Sequence, residues 1–437
     1  MEGTTVLSAL QSPDRLYQKI TVRIIPFLFV SYVVSFLDRI NIGFAQLQMK
    51  QDLAFNDTIY GLGAGIFFIG YLLFEVPSNL LLEKIGARRT FSRIMFFWGL
   101  VSSGMLFVSS PWQFYVLRFL LGAFEAGFFP GIVLYLTYWY PSKRRATVVS
   151  WFFAGVAIAG LVGGLVSGWI MKDMAGVGGL HGWQWMFLLE GAPASILGVV
   201  AYFYLVDGPQ QVTWLSDDEK RALTRELDAD RLERRDAIPH SLWSALRSPK
   251  VYLLAFVYFT LACGSFAISF WLPTLIRGFG VKDLLSVGLY SAIPYGIGAV
   301  GIVLISRHSD RTLERRRHFA LCAIGSAIAL SMLTLYSDNL PLMLAIASVC
   351  VVLVYAALPI FWVVPPSHLG GTAAAGGIAL ISSIGQIGGF VSPYLIGLIK
   401  THTGQIDAGL YLMSALLCVG AVVLFFTVRD GPTQRGA

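Results

Sequence analysis

The sequence predicts an all-α membrane protein with twelve transmembrane helices. Of its 437 residues, 56% are hydrophobic and 13% are charged, which is too apolar for a soluble protein of this length. Stretches of about 20 apolar residues, enough for a helix to cross a hydrocarbon core of ~30 Å, recur along the chain. We predict spans at 20–43, 58–82, 91–109, 112–138, 146–170, 183–206, 251–276, 284–306, 318–337, 341–364, 372–399 and 407–428.

The basic residues indicate how these spans are oriented, because lysine and arginine accumulate in the cytoplasmic loops of membrane proteins. If both termini are cytoplasmic, most of the 32 basic residues fall inside, and those outside are Lys50, Lys172, Arg277, Lys282 and Lys400. The inverted orientation would place the majority outside, so we predict cytoplasmic termini. The same bias accounts for the net charge of +7 without a nucleic-acid partner.

Cysteine and histidine provide no metal site in the sequence. The four cysteines lie within predicted spans without metal-ligand spacing, and the six histidines lie in loops or at span ends. Neither a nucleophile motif nor a nucleotide-binding loop is present, so we expect no enzyme activity and no cofactor. The opening 19 residues are polar and lack a signal-peptide pattern, so we expect the first span to be an uncleaved anchor.

A polar stretch divides the chain into two halves of six spans. We predict an N-terminal bundle at 1–206, a cytoplasmic linker at 207–250 and a C-terminal bundle at 251–437. Within the linker, Ser216-Asp217-Asp218-Glu219 has the form of a helix capping box, which predicts a short surface helix.

A short charged loop recurs at the same place in both halves. Glu83 to Arg89 follows the second span, and Asp310 to Arg316 follows the eighth, both with the pattern acid-base-x-x-x-base-base. Such loops could lock neighbouring helix ends by charge pairing in one conformation. We predict gating roles for Glu83, Arg88, Asp310 and Arg311; the alternative is that the arginines only set topology.

Four charged residues lie inside predicted spans, namely Asp38, Arg39, Arg118 and Glu125. An ionisable side chain at mid-membrane costs roughly 2.5–3.5 kcal/mol, so it usually has a partner or a function. Arg118 and Glu125 are seven residues apart and share one helix face. The depths of the spans predict Asp38 within pairing range of Arg118, with Glu125 about 10 Å deeper.

The twelve spans, the central linker and the repeated loop resemble the major facilitator superfamily, whose fold is two six-helix bundles related by a pseudo-two-fold axis. Residues 37–45 (LDRINIGFA) and 118–131 (RFLLGAFEAGFFPG) resemble its anion:cation symporter family. Phe270-Trp271-Leu272-Pro273 and residues 371–377 resemble the bacterial branch for tartrate, sugar acids and aromatic acids. The resemblance implies a monomer in the bacterial inner membrane.

The resemblance implies proton coupling at Glu125 and Asp38, with Arg118 as the adjoining arginine. A buried acid next to an arginine favours the ionised form, so separating the two lets the acid take up a proton. Such differential pairing in two states suits an alternating-access carrier. The alternative is a static ion-pair network that holds the helices together.

Arg39 is the predicted substrate residue, because its planar guanidinium matches a carboxylate in two hydrogen bonds. Tyr32, Ser35 and Arg39 share one helix face, and the resemblance adds Tyr71. Snorkelling of Arg39 to the interface and ordinary packing of both tyrosines remain alternatives. The C-terminal candidates are Trp362, Ser382, Ser383 and Gln386.

Two of the C-terminal candidates depart from the resembled branch. The branch typically has asparagine where this chain has Ser382 and Gln386, and intrahelical serines can bond to backbone carbonyls instead of a substrate.

Small residues and prolines indicate how the spans pack and bend. Glycines at 160, 164 and 168 predict a closely packed or sliding helix face. Prolines are expected to kink the spans at Pro130, Pro273, Pro294, Pro359 and Pro393. Glu75 and Glu190 are predicted to be interfacial or loop-pairing groups.

The expected function is import of a small organic anion, a tartrate-like dicarboxylate or a sugar acid, in symport with protons. An aromatic carboxylate is the alternative cargo, and organic-anion exchange or export is the alternative direction. Arg39 argues against a cationic-drug exporter, which would present acids without a substrate-side arginine.

Overall fold

The structure is a computed structural model that describes residues 13–235, 247–312, 314–335, 339–368 and 371–427. These residues are helical with short connections, and no strand occurs among them. The helices are α1 (Pro13–Ile40), α2 (Ile42–Asp52), α3 (Asp57–Ile85), α4 (Ala87–Gly104), α5 (Pro111–Glu125), α6 (Phe128–Leu136), α7 (Ser142–Asp173), α8 (Gly182–Tyr204), α9 (Asp217–Arg235), α10 (Pro249–Gly278), α11 (Leu284–Thr312), α12 (Arg315–Met332), α13 (Leu340–His368), α14 (Gly371–Thr403) and α15 (Asp407–Thr427).

The helices account for twelve membrane crossings, as the sequence predicts. Eleven helical segments in the described ranges are long and apolar enough to span a bilayer. Two of these eleven segments each consist of two consecutive helices: α1 and α2 form the first span, and α5 and α6 form the fourth. The remaining crossing is α12, an 18-residue helix whose first three residues are arginines. The linker helix is α9.

Side-chain caps fix where several helices begin. The Asn56 side chain accepts a hydrogen bond from Ile59 N at 2.8 Å and caps α3. At the start of α9, Ser216 Oγ accepts from Glu219 N at 3.2 Å, while Glu219 Oε2 accepts from Ser216 N at 2.9 Å. Both bonds satisfy N–H groups that the first helical turn leaves free. The predicted capping box is therefore confirmed.

The two halves contact each other at the helix ends opposite the start of α1 (Pro13) and the end of α15 (Thr427), which we call the distal side. Here α3 packs against α14, α7 against α11, and α2 against α10. Gln46 Nε2 and Tyr60 Oη both donate to the carbonyl of Phe270, at 3.0 and 3.2 Å. The distal side is thus closed by direct contact between the bundles.

Glycines allow α7 and α11 to approach closely at this seam. A Cβ at Gly164 would lie 2.8 Å from the Gly288 carbonyl oxygen, and one at Gly288 would lie 2.2 Å from the Gly164 carbonyl oxygen. Gly168 also packs against Gly288. The predicted small-residue face of the fifth span is therefore the surface on which the bundles meet.

Ion pairs also join the bundles on the distal side. Lys400 Nζ lies 3.3 Å from Asp57 Oδ1, and Lys50 contacts the same carboxylate. Lys172 Nζ lies 2.8 Å from Asp283 Oδ1. Hydrogen bonds from Lys172 and Ser286 lower the pKa of Asp283 to about 2. This carboxylate is therefore charged at neutral pH.

Of the repeated charged loops, the first is anchored to α8 and to the start of the linker. Arg88 N donates to Asp207 Oδ1 at 2.9 Å, and its guanidinium lies 4.4 Å above the Tyr202 ring. Glu83 and Arg311 are exposed, and the side chain of Asp310 lies outside the described part. The gating role of these four residues stays a prediction.

Candidate functional site

Arg39 and Glu125 form a buried ion pair at the centre of the N-terminal bundle. Arg39 Nε lies 2.7 Å from Glu125 Oε1, and the side chains are 7% and 0% exposed, respectively. Arg39 stands one residue before the end of α1, and Glu125 is the last residue of α5. Arg39 therefore does not extend to the membrane surface, and it is slightly more exposed than Glu125.

Aromatic rings surround the Arg39 guanidinium. Its central carbon lies 5.1 Å from the Phe36 ring centre, 5.5 Å from that of Phe67 and 5.0 Å from that of Tyr71. At these distances the ring faces attract a cation. The rings thus hold the guanidinium in place from three directions while Glu125 occupies another.

Arg118 does not pair directly with either acid, which corrects the predicted pairing. Its Nε donates to Gly63 O at 3.1 Å and its Nη2 to Ala64 O at 3.3 Å, while Nη1 is buried without a partner. The reason lies in packing between α3 and α5. A Cβ at Gly122 would lie only 1.9 Å from Phe67 O, so this glycine lets the α3 backbone approach α5 closely.

Asp38 is buried on a different face of α1 from Arg39. It accepts hydrogen bonds from Trp98 Nε1 at 2.5 Å, Ser102 Oγ at 2.8 Å and Asn41 Nδ2 at 3.4 Å. Consecutive residues of an α-helix project about 100° apart, so Asp38 faces α4 while Arg39 faces α5. The two predicted proton-coupling acids therefore occupy different environments.

The fourth span is interrupted directly after Glu125. Ala126 has an extended ψ of 134°, and Gly127 has a left-handed φ of 82°. The span therefore bends at Ala126 and Gly127, before Pro130, where the sequence predicts the kink. Pro130 itself lies in the first turn of α6, where its missing N–H costs little. Interrupted helices in membranes occur where the freed backbone groups meet protein or a cavity. The break places Glu125 at a helix end beside the site.

The aromatic candidates from both halves are enclosed. Tyr32 and Tyr71 are buried, and the Tyr32 ring packs against Phe129 at 5.1 Å. In the C-terminal bundle, Trp362 packs against Tyr258 at 4.8 Å between ring centres. Tyr258 lies within electrostatic range of Arg39.

Tyr258 was missed by the sequence interpretation, because one tyrosine in an aromatic-rich span carries no signal of its own. The indirect signal is Gly385, since a Cβ there would lie 1.9 Å from the Tyr258 ring. Ser382, Ser383 and Gln386 are half-buried on α14 around this glycine. Their substrate role stays a prediction.

Glu75 and Glu190 are not interfacial, so that prediction is wrong. They are 8% and 4% exposed, respectively. Glu75 lies four residues after Tyr71 on the same face of α3. Ser167 Oγ of α7 donates to Glu190 Oε1 at 2.7 Å. Hydropathy locates a residue along a span, but it does not show which neighbouring helix covers it.

A family model described as the Major Facilitator Superfamily matches residues 28–393. The chain belongs to the major facilitator superfamily. It is 46% identical over 97% of its length to a protein of Agrobacterium vitis whose name proposes tartrate transport, and it covers 96% of that protein. It is 41% identical to a quinolone resistance transporter of Acinetobacter baumannii, with 95% of each chain covered. This chain is therefore a transporter and not an enzyme.

The fold agrees with a solved member of the superfamily. The structure matches a partially occluded, inward-open form of the xylose transporter XylE from E. coli with a TM-score of 0.74. The match covers 96% of this chain and 99% of that one, at 13% sequence identity. The two-bundle architecture predicted for this transporter is confirmed.

Proposed function

We propose that the transporter imports a small organic anion together with protons across the bacterial inner membrane, with both termini in the cytoplasm. The observation that carries this proposal is the buried pair of Arg39 with Glu125. Within this orientation the distal side is the external side, and the structure has that side closed.

The pair couples an anion to a proton because the substrate carboxylate and the ionised Glu125 compete for one guanidinium, and a proton on Glu125 removes that competition. Removing one partner of a buried ion pair leaves an uncompensated charge, which costs about 3–5 kcal/mol. A proton on Glu125 neutralises its side of the pair, so a carboxylate of the substrate can replace it at Arg39. When Glu125 loses that proton, it takes Arg39 back and displaces the substrate. Arg39 therefore has one anionic partner in each state.

The neighbouring groups support a hydroxylated acid as the cargo. Tyr71 and Tyr258 bring phenol hydroxyls to the region of Arg39, and Ser382, Ser383 and Gln386 supply neutral donors and acceptors on α14. One fixed cation with several neutral hydrogen-bonding groups suits a tartrate-like dicarboxylate or a sugar acid. The name of the Agrobacterium vitis relative agrees with this class.

An aromatic carboxylate is the second candidate. The three rings of Phe36, Phe67 and Tyr71 around Arg39 could stack on an aromatic acid whose carboxylate binds the guanidinium. Competition against uptake of a labelled sugar acid distinguishes the two classes. Inhibition by other hydroxy acids alone favours the first class, and inhibition by benzoate-type acids favours the second.

The test uses purified transporter in proteoliposomes with an imposed pH gradient. Glu125→Gln keeps the size of the side chain but cannot bind a proton reversibly. We expect accumulation against a substrate gradient to fall to background while substrate exchange between the two sides persists. Asp217→Asn, at an exposed carboxylate of α9, is the control and should behave like the wild type. Accumulation by Glu125→Gln at the wild-type level would refute the proposal.

A further inference from the structure

A second cluster of buried polar groups lies within the N-terminal bundle, apart from the pair of Arg39 with Glu125. Four helices, α1, α4, α7 and α8, contribute to it, together with Asn41 between α1 and α2. Its two acids are Asp38 and Glu190, and its neutral members are Asn41, Trp98, Ser102 and Ser167. All six side chains are buried.

Asn41 links the two acids of this cluster. Its amide donates to Asp38 Oδ1 at 3.4 Å and also lies beside the Glu190 carboxylate. A single amide thus stands between two carboxyl groups. Asn41 Oδ1 and Glu190 Oε2 are both buried and have no hydrogen-bond partner.

The charges around the cluster do not balance if both acids are ionised. Arg39 is bound by Glu125, and Arg118 donates to backbone carbonyls of α3. In the part of the chain that the structure describes, Glu125 and Arg118 of α5 and Glu190 of α8 lie within electrostatic range of Asp38. Two buried carboxylates without a contacting cation repel each other and lose their hydration. One proton on the cluster removes both costs.

Hydrogen bonding indicates which acid holds this proton. Asp38 accepts three hydrogen bonds, which stabilise a carboxylate, whereas Glu190 accepts one on Oε1 and none on Oε2. A proton on Glu190 Oε2 supplies a donor where the cluster has an excess of acceptors. Glu190 is therefore the better site for the proton and Asp38 the better site for the charge.

We propose that Glu190 holds a proton that it shares with Asp38 across Asn41, which makes Glu190 a further proton-binding residue of this transporter. The role of that proton in transport depends on the function proposed above. The proton-binding itself does not.

The position of Ser167 connects this proton to the movement of the bundles. Ser167 lies on α7 between Gly164 and Gly168, the glycines that pack against Gly288 of the C-terminal bundle. Its hydroxyl donates to Glu190 of α8, within the N-terminal bundle. A change in the charge of Glu190 thus acts on the helix that forms the contact between the bundles.

Infrared spectroscopy of the purified protein tests proton binding without any substrate. We expect the carbonyl-stretch band of protonated carboxylic acids at neutral pH in the wild type. In Glu190→Gln this band should lose the intensity that one carboxyl group contributes. The control is Ser195→Ala, which lies on the same helix and donates to Phe96 O. It should keep the band. An equal band in the wild type and Glu190→Gln would overturn the proposal.

Two further variants test the sharing and remain informative if Glu190→Gln does not fold. Asp38→Asn removes the neighbouring negative charge, so the Glu190 band should disappear at a pH lower by about one unit or more. Ser167→Ala removes the hydrogen bond to the Glu190 anion, so the band should persist to a higher pH. A Glu190 band that titrates identically in the wild type and both variants would overturn the sharing.

Transport measurements then assign the role of the proton. Glu190→Gln should lower pH-driven uptake at least tenfold and leave exchange within twofold of the wild type, whereas full uptake would remove Glu190 from coupling. If the wild type itself shows no pH-driven uptake, the proposed function fails, and the infrared result still decides whether Glu190 holds a proton.

Discussion

Gly288→Ala should shift the transporter away from the conformation that is closed on the distal side. The added Cβ would lie 2.2 Å from the Gly164 carbonyl oxygen and 2.9 Å from the Gly168 Cα. Both neighbours are backbone atoms, so a rotamer change cannot relieve the contact. The helices α7 and α11 must instead separate by roughly 1 Å, since carbon–oxygen contacts are usually above 3 Å.

The magnitude follows from the cost of overpacking, which is about 1–3 kcal/mol for a methyl group without space. Alternating access requires the bundles to separate on the distal side when that side opens, so we expect the cost to fall on the closed state. A difference of this size changes the ratio of the two conformations by about 5- to 150-fold. A carrier that is mostly closed on the distal side would then populate both conformations or become mostly open on that side.

Distances between spin labels at the distal ends of α7 and α11 measure the shift. Asp173→Cys and Lys282→Cys provide exposed attachment points there, and the four native cysteines are buried or half-buried. Gly278→Ala is the matched control, because a Cβ at Gly278 meets nothing within 4 Å. Identical distance distributions for Gly288→Ala and Gly278→Ala, with both proteins folded, would refute the role of this seam.

Three other predictions concern the site and the distal side. Arg39→Lys should weaken anion binding by about tenfold or more, because one bidentate contact is lost; unchanged affinity in a binding titration would remove Arg39 from the site. Gly127→Ala should destabilise the protein by at least about 1–2 kcal/mol, because Gly127 has a left-handed φ and because the added Cβ would lie 2.6 Å from the Ser78 Cβ. The melting temperature should fall relative to Gly104→Ala, which adds a methyl group in open space. The pKa of Asp283 is lowered to about 2. Its pairing with Lys172 therefore contributes fully to stability above the ordinary carboxylate pKa, and this contribution is lost only as the pH falls toward 2. Asp283→Asn should therefore leave the pH profile of uptake unchanged between about pH 5 and 8; a displaced profile would mean that this pair titrates in that range.

The sequence by itself determined the number of spans, the position of the linker helix and the burial of the four central charges. These features follow from local composition. A run of apolar residues must be helical to satisfy its backbone inside a membrane, and a capping box acts within four residues. The charges at Asp38, Arg39, Arg118 and Glu125 had to face the interior because lipid offers them no partner.

Only the tertiary structure decided which charge pairs with which. Depth along the spans predicted that Arg118 would contact an acid, yet Arg39 binds Glu125 and Arg118 donates to the α3 backbone. Depth fixes one coordinate of a side chain, whereas pairing also depends on helix rotation and on how closely neighbouring helices approach. Gly122 sets that approach for α3 and α5, and packing of α1 against α7 and α8 encloses Asp38 with Glu190. These distances arise from contacts between residues far apart in the chain, which no local pattern records.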